Sequence, residues 1–463
     1  MSEIEVTIRR VEAASKLGAF MTTAAENEIL TRTDAGTPMG DLFREYWIPA
    51  AMSSEVTADG DPMRLMLLGE QLIAFRDTNG KVGIMDHRCP HRCASLFFGR
   101  NEEGGIRCVY HGWKFDADGK CLDMANVPPH QDFKHKVHAK AYKTIEQNGM
   151  VWVYMGKRQD APPPLPKLDM AEVPESRIAI RFTQRECNYL QGVEGELDTS
   201  HVGIMHFGLQ DKNAFVDRGD NSKYAVMNRA PEYKLQETDY GYMYAAYRPA
   251  EETTTYWRYG QFLFPFWTMP PINDLSTNVL ARAYVPMDDT HCMVVALVMK
   301  GAYNRAGGGE TGSNPDGIAG ASQNYPYMPN TTDWFGRWKL KLNSTNDYGI
   351  DREVQRTKSY TGIEGVQMQD QAVQESMGEI LDRSIEHLAP SDSMITRVRR
   401  QMIRMATQHA KDGSLPPSVD GANLYANVRG GQMVAPKDAD WIEAYRRELA
   451  ANPWQGVGAK AAE

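Results

Sequence analysis

Cys89-Pro90-His91-Arg92-Cys93 and Cys108-Val109-Tyr110-His111-Gly112-Trp113-Lys114-Phe115 are the stretches on which the fold turns, with sixteen residues between His91 and Cys108. Each half offers one thiolate and one imidazole from a tight loop, and Gly112 lets backbone amides approach whatever the loops hold. Two such loops, face to face, give two sulfurs to one iron and two nitrogens to another. Structural zinc is the competing reading. Zinc sites, however, pair Cys with Cys and His with His, whereas here each half is mixed. Cys93 then reads as a small buried residue rather than a ligand. His87, His130, His135 and His138 lack the spacing and read as surface or hydrogen-bonded histidines.

Cys89, His91, Cys108 and His111 thus make the ligand set of a Rieske [2Fe–2S] centre. Neutral imidazoles replace two anionic thiolates, so the cluster carries less negative charge and accepts an electron more readily.

A second constellation follows at Asp198, His201 and His206, spaced D-x₂-H-x₄-H. Two histidines and one carboxylate form the facial triad of non-haem Fe(II) sites, which leaves positions open for O₂. Positions five apart sit about 140° apart on an ideal helix. Both histidines therefore reach one metal only through an irregularity such as a π-type turn. Three roles stay open for Asp198: direct ligand, hydrogen-bond acceptor from a ligand imidazole, or exposed carboxylate. A distant carboxylate is also needed. Asp370, in Gln367-Met368-Gln369-Asp370-Gln371-Ala372-Val373, is one candidate beside Asp347, Asp351, Asp382 and Glu375. It could equally complement a helix N-terminus.

Outward from these motifs the chain divides in two, as 463 residues lead one to expect. Residues 1–44 form an N-terminal segment, and 45–160 a β-rich domain. In the latter, Leu65-Met66-Leu67-Leu68, Leu72-Ile73-Ala74-Phe75 and Val151-Trp152-Val153-Tyr154 alternate with turns at Asn79-Gly80 and Asp118-Gly119, as in a small antiparallel sandwich or barrel. A Pro-rich linker at 161–166 opens a second domain, 161–463. There Tyr256 to Trp267 and Val294 to Met299 read as strands. Val373, Met377, Ile380, Leu381, Ile385 and Leu388 follow helical spacing and predict a helix with one face on a core. Residues 303–332, rich in Gly, Asn and Pro, read as a long loop.

A formal charge of −9 argues against a binder of nucleic acid or anionic membranes. No apolar run approaches about 18 residues, and the N-terminus lacks a secretory pattern. Six cysteines in a chain without an export signal predict metal ligation in the cytosol rather than disulfides. Arg88, Arg92, Arg100, Arg107 and Lys114 surround the Cys/His loops. They are either plain solvated charges or a docking face for an acidic reductase domain.

Together these residues resemble the Rieske non-haem iron ring-hydroxylating oxygenases, in particular the phthalate 4,5-dioxygenase-like group of oxygenase subunits. The resemblance spans nearly the whole chain. It runs from Leu30-Thr31-Arg32-Thr33 and Gly36-Thr37-Pro38-Met39-Gly40 through Cys108–Phe115 and Glu194–His201 to Gln369–Gly378 and Asp382–Leu388. It implies an α+β fold: a β-rich Rieske domain followed by a helix-grip catalytic domain. It makes His201, His206 and Asp370 the ligands of a mononuclear Fe(II), and Asp198 the bridge to a Rieske histidine of a neighbouring subunit. A homotrimer, or a stacked hexamer, is implied. A reductase with flavin and an iron–sulfur cluster would carry electrons from NADH. Many members of the wider superfamily place Asn three residues before the bridging Asp. Here that position is Gly195, a departure shared with the phthalate-like group.

The implied activity is hydroxylation of an aromatic carboxylate, phthalate or a substituted benzoate, with O- or N-dealkylation of a larger aromatic as the rival outcome. A carboxylate in an apolar pocket needs a cation, and bidentate Arg suits it. Arg258 and Arg248 are the candidates, flanked by Phe262, Phe264, Phe266 and Trp267. The plain alternative is outward-facing arginines over core aromatics. A non-enzymatic Rieske electron carrier needs only about 100 residues, and neither the rest of the chain nor the second histidine pair.

Overall fold

A computed structural model describes residues 22–169, 178–209, 213, 221–272, 274–276, 280–299 and 326–452. In the first stretch, short apolar runs broken by turn residues become strands. These are β1 (Trp47–Met52), β2 (Met63–Leu67), β3 (Glu70–Arg76), β4 (Val82–Asp86), β5 (Arg100–Glu102), β6 (Gly105–Arg107), β7 (Trp113–Phe115), β8 (Cys121–Met124), β9 (Ala141–Gln147) and β10 (Met150–Tyr154). One sheet runs β1-β10-β9-β4-β3-β2, and a second runs β5-β6-β7-β8. The expected turns form. Gly80 and Gly119 take φ of +86° and +85°, where a side chain would be strained. The second sheet carries the Cys108 loop between β6 and β7, and the Cys89 loop lies in the connection from β4 of the first sheet to β5. Beneath them Leu96, Ile106, Phe115 and Met124 pack with Cys89 and Cys108 in one apolar cluster.

A second antiparallel sheet system follows: β11 (Ile178–Arg185), β12 (Glu232–Thr238), β13 (Gly241–Pro249), β14 (Thr254–Leu263), β15 (Trp267–Met269), β16 (Leu280–Pro286), β17 (Cys292–Met299) and β18 (Gly431–Pro436). Its order is β11-β17-β16-β15-β14-β13-β12, with β18 paired to β14. The principal helices are α1 (Ala24–Thr31), α2 (Pro38–Arg44), α3 (Tyr189–Leu197), α4 (Val366–Ser376), α5 (Ser393–Asp412) and α6 (Trp441–Ala451). Strand alternation sorts them between the two faces. Tyr242, Tyr244 and Ala246 join the core that holds α3 and α5. Met243 and Ala245 pack against Trp441 and Tyr445 of α6. The N-terminal segment is tied in by α2, which packs along α5. Among the described residues no helix is long and apolar enough to cross a membrane.

Three expectations need correction. The run Tyr256–Trp267 is two strands, β14 and β15, separated at the cis Phe264–Pro265 bond. The helix expected over 373–388 stops at Ser376, because Gly378 takes φ +94° and releases the chain. The apolar spacing beyond it is not a core face: Ile385 is 68% exposed, and Met377 is exposed too. The buried face of α4 is instead polar, made of Gln369, Asp370, Gln371 and Gln374 beside Met368 and Ala372. Of the long loop, residues 300–325 lie outside the described residues, while Tyr327 bridges Leu340.

Candidate functional site

The two Cys/His loops fold as matching tight turns. Cys93 N–H donates to Cys89 O at 2.8 Å, and Gly112 N–H to Cys108 O at 2.9 Å. Gly112 holds φ +74°. Both Cys89 and Cys108 are buried, and the His91 and His111 rings lie 4.4 Å apart. His91 stacks on Trp113 at 4.3 Å and 7°, and Trp113 is fixed by donating Nε1–H to Asn126 Oδ1 at 2.8 Å. Burial, together with the facing Cys108 thiol, pushes the Cys89 thiol up to about 12. Raised in this way, the Cys89 thiol ionises only when a cation joins it. His91 Nδ1 is buried without a hydrogen-bond partner. That orphaned nitrogen beside paired thiols fits a two-sulfur, two-nitrogen iron cluster. Cys93 is exposed rather than buried. It sits at the tip of its turn with φ +57°, which aims it away from the packed side. His87 bonds Ser95 Oγ at 3.2 Å, and His130, His135 and His138 are exposed.

The surrounding cations are largely self-neutralised. Arg88 pairs with Asp86, Arg100 with Glu102, Arg107 with Glu102 and Asp123, and Lys114 with Glu103. Arg92 has no carboxylate partner among the described residues and lies over the Tyr110 ring.

The second constellation forms where α3 ends. Asp198 caps its C-terminus, and a short 3₁₀ turn follows at His201–Gly203. Phe207 N–H then reaches back five residues to Val202 O at 3.1 Å. This is the π-type irregularity the five-residue spacing called for. It turns both imidazoles to one point: His201 Nε2 and His206 Nε2 are 3.2 Å apart. Asp370 Oδ1, from α4, stands 3.2 Å from His206 Nε2 and 3.6 Å from His201 Nε2. Among the described residues, these are the three side chains gathered closely enough to share a metal ion. The rival carboxylates are engaged elsewhere. Asp351 caps a short helix, Asp382 holds Ser384, and Glu375 accepts from Tyr348 and Gln371. Asp347 lies at a left-handed turn in the 344–349 segment.

Each histidine is held from behind. Asp198 Oδ2 lies 3.3 Å from His201 Nδ1, and its Oδ1 accepts from Ser200 N–H and Oγ. Gln369 Oε1 lies 2.7 Å from His206 Nδ1, and Gln369 Nε2 donates to Ile363 O. Acceptors at both Nδ1 atoms fix the tautomer that carries no proton on Nε2 and so presents it to a metal. Although burial opposes it, the charges of His206 and His201, with Arg185 adding, hold Asp370 down near 2. Against burial, the Asp198 hydrogen bond and Asp370 raise His201. Gly195 is explained by α4: a Cβ there would lie 2.3 Å from Gln374 Nε2.

Arg248 and Arg258 face this side of the sheet rather than solvent. Arg258 Nε donates to Thr199 Oγ1 at 2.8 Å. Arg248 is 0% exposed, and its Nε donates to Asn228 O. Its Nη1 and Nη2 have no hydrogen-bond partner among the described residues, nor do the Tyr233 and Tyr244 hydroxyls nearby. Burial, with Arg258 adding, lowers Arg248 to about 10, so it is still a cation at neutral pH.

The spacing of motifs missed Gln369 and Thr199. The available signal for Gln369 was the run of glutamines at 367, 369, 371 and 374. Gln369 lies across the helix from Gln367, Gln371 and Gln374, so both sides of α4 carry a glutamine, and one buried beside apolar residues has a hydrogen bond to make.

Comparison with known proteins accords with this geometry. Residues 46–143 match the family described as Rieske [2Fe-2S] domain, and residues 153–462 the one described as LigXa C-terminal domain like. The 3-chlorobenzoate-3,4-dioxygenase oxygenase subunit of Comamonas testosteroni is 46% identical, over 93% of this chain and 99% of its own. The phthalate 4,5-dioxygenase oxygenase subunit of Pseudomonas putida is 34% identical, over 92% and 95%. The solved structure of Pseudomonas putida CBB5 NdmA with caffeine shares the fold, with a TM-score of 0.54 at 16% identity, over 87% of this chain and 100% of that one. The chain therefore belongs to the Rieske non-haem iron oxygenases and is an oxygenase subunit, an oxidoreductase with a Rieske [2Fe–2S] cluster and a mononuclear iron as cofactors.

Proposed function

We propose that this subunit oxidises a small aromatic carboxylate, a substituted benzoate or a phthalate. The observation that carries the reading is Arg248, fully buried, with two guanidinium nitrogens and two neighbouring tyrosine hydroxyls unpartnered. A desolvated cation in that state needs an anion, and a planar carboxylate matches its fork. Arg258, held by Thr199 next to Asp198, brings a second cation toward the same space. The names of the two relatives above support the same class.

In this reading Cys89, His91, Cys108 and His111 hold the cluster, while His201, His206 and Asp370 hold Fe(II). When bound, the cluster supplies single electrons and the ferrous ion activates O₂. The chain's own part is positional. Asp198 and Gln369 keep both imidazoles in the tautomer that presents Nε2. Arg248 seats the substrate carboxylate, and Tyr233 and Tyr244 donate to it. Electrons come from NADH through a reductase or ferredoxin partner. Asp198 also bridges to a Rieske histidine of the next copy within a homotrimer, of which a hexamer is the stacked form. Two features support this. The Asp198 side chain keeps 23% exposure while holding His201. Apolar Val109 and Tyr110 are exposed at the cluster, as are Ile204 and Val373 near the triad, which gives two patches that copies can cover mutually. Residues 45–160 and 161–463 then form the Rieske and catalytic domains, with the Pro-rich stretch 161–166 between them.

The test is turnover of anaerobically iron-loaded protein on benzoates, phthalates and aryl ethers, with product identification. Carboxylates should be consumed, and Arg248→Gln should raise their KM about 30-fold, since removing one partner of a buried charge pair costs about 2 kcal/mol or more. Equal turnover of neutral aryl ethers, with KM for benzoate unmoved in Arg248→Gln, contradicts the proposal.

A further inference from the structure

Arg185 stands at the end of β11, opposite Cys292 of β17, and is 4% exposed. Its guanidinium carbon lies 5.4 Å from the centre of the Tyr284 ring on β16, and its Nη1 donates to the Gln374 side chain on α4. Its Nε is buried without a hydrogen-bond partner, and no carboxylate stands at ion-pair distance among the described residues. A guanidinium keeps its proton when buried. Left without a counter-ion and shielded from salt, its charge reaches beyond its contacts.

What it reaches is the iron triad. Gln374 follows Asp370 by four residues, so the two share a face of α4 one turn apart, and both are buried. Against burial, His206 and His201 lower Asp370, and Arg185 adds to them. Burial opposes the Arg185 charge in turn, and Asp370 is among the groups that support it. Tyr284 and Cys292 also stand near, and both stay neutral: burial raises the first, and the Cys187 thiol together with burial raises the second. A metal is bound by neutral imidazoles. With the triad filled, Arg185 is therefore left as a fixed cation behind the Asp370 carboxylate.

We infer that Arg185 is a positioning residue for the mononuclear iron: through Gln374 it steadies α4, and through its charge it weakens Asp370 as a donor and favours ferrous over ferric iron. A nearby positive charge opposes the higher charge of the ferric ion more than that of the ferrous ion. At an effective dielectric constant of about 20, one such charge a helical turn beyond the carboxylate shifts the ferric-to-ferrous ratio about tenfold, or ~59 mV for one electron. The ferrous state is the one with which oxygenases of this ligand type meet O₂. The inference rests on His201, His206 and Asp370 as the ligands and is independent of the substrate.

The experiment is a mediated redox titration of iron-loaded protein that follows the high-spin ferric EPR signal of the mononuclear iron, beside anaerobic titration of Fe(II) into protein stripped of that iron. Arg185→Gln removes the charge. Gln374→Glu neutralises it in place, with a side chain of the same shape paired to the guanidinium, and so serves even where Arg185→Gln does not fold. Each should lower the midpoint so that the ferric-to-ferrous ratio at a fixed potential rises about tenfold. Fe(II) should bind at least as tightly as in native protein, and the Rieske midpoint should not move. Gln374→Met cuts the hydrogen bond but keeps the charge, and should retain the native midpoint. A midpoint unmoved in Arg185→Gln and Gln374→Glu overturns the inference, and weaker Fe(II) binding at that unmoved midpoint shows a merely structural contact. A fall in Gln374→Met as large as in Gln374→Glu overturns it as well. Persistence of the ferric signal in Asp370→Ala overturns the ligand assignment beneath it. Loss of the signal there, with the midpoint unmoved in the charge variants, overturns this inference alone.

Discussion

Glu194→Gln should destabilise the catalytic half by about 3 kcal/mol near neutral pH, by an amount that fades in acid. Glu194 lies on α3, one turn before Asp198, which holds His201. It accepts from Arg383 at 2.9 Å and from Arg399 at 2.6 Å, and Arg399 also holds Glu386. The network ties α3 to α5 and to the segment after α4. Burial alone would raise the carboxyl, yet Arg383 and Arg399 bring it down to about 2 from an ordinary 4.5. At about 1.36 kcal/mol per pH unit, that difference is worth ~3 kcal/mol, in line with the ~3–5 kcal/mol lost when one member of a buried pair is removed. The folded-state value is depressed, so the stabilisation is complete above the unfolded value, declines as pH falls below it, and is lost as pH falls through the folded value. Between pH 6 and pH 3.5 the advantage of native protein over Glu194→Gln should shrink by about 1.4 kcal/mol. Urea unfolding of both proteins across that range, followed by tryptophan fluorescence, measures it. A difference that is constant with pH, or below about 1 kcal/mol at pH 6, refutes the argument that this carboxylate is ionised and counted on in the folded state.

Replacing Gln369 by Leu removes the acceptor behind His206 and should weaken ferrous binding about 10–100-fold, with cluster absorption intact; unchanged affinity in an iron titration speaks against the role. Asp198→Asn should keep the cluster spectrum and nearly abolish coupled oxidation, and full coupling in that variant contradicts the bridge. Gly195→Ala places a Cβ against Gln374 and should lower the melting temperature while leaving the iron count unchanged; an unshifted melting curve means Gln374 moves aside freely.

The metal motifs were legible because ligation fixes residue type and local spacing together. Cys89, His91, Cys108 and His111 lie in two short loops, so their pattern survives in one dimension. Even the π-type turn at Phe207 follows from a five-residue gap. The third member of the triad was less legible. Asp370 meets the histidines across 164 residues, counted from His206, and local pattern does not rank it above Asp351 or Glu375. The helix expected through Leu388 failed for a related reason. Apolar spacing points to the wrong face: α4 buries glutamines and an aspartate, while beyond Gly378 Ile385 is exposed and Ile380, Leu381 and Leu388 are only half-buried. Cys93 was placed inside on residue type alone, and the backbone of a tight turn overrode that preference. Arg248 was legible as a candidate, but its burial came only from the β13–β14 register, which sets it opposite Tyr256 on the face toward α3.

The most direct test is metal content. Purified protein, fully supplied with iron and sulfide, should contain three irons and two sulfides per chain. His206→Ala should contain two irons with the Rieske absorption and reduced EPR signal unaltered. Two irons per chain in both proteins would mean that His201, His206 and Asp370 hold no metal, and that the chain carries electrons without activating oxygen.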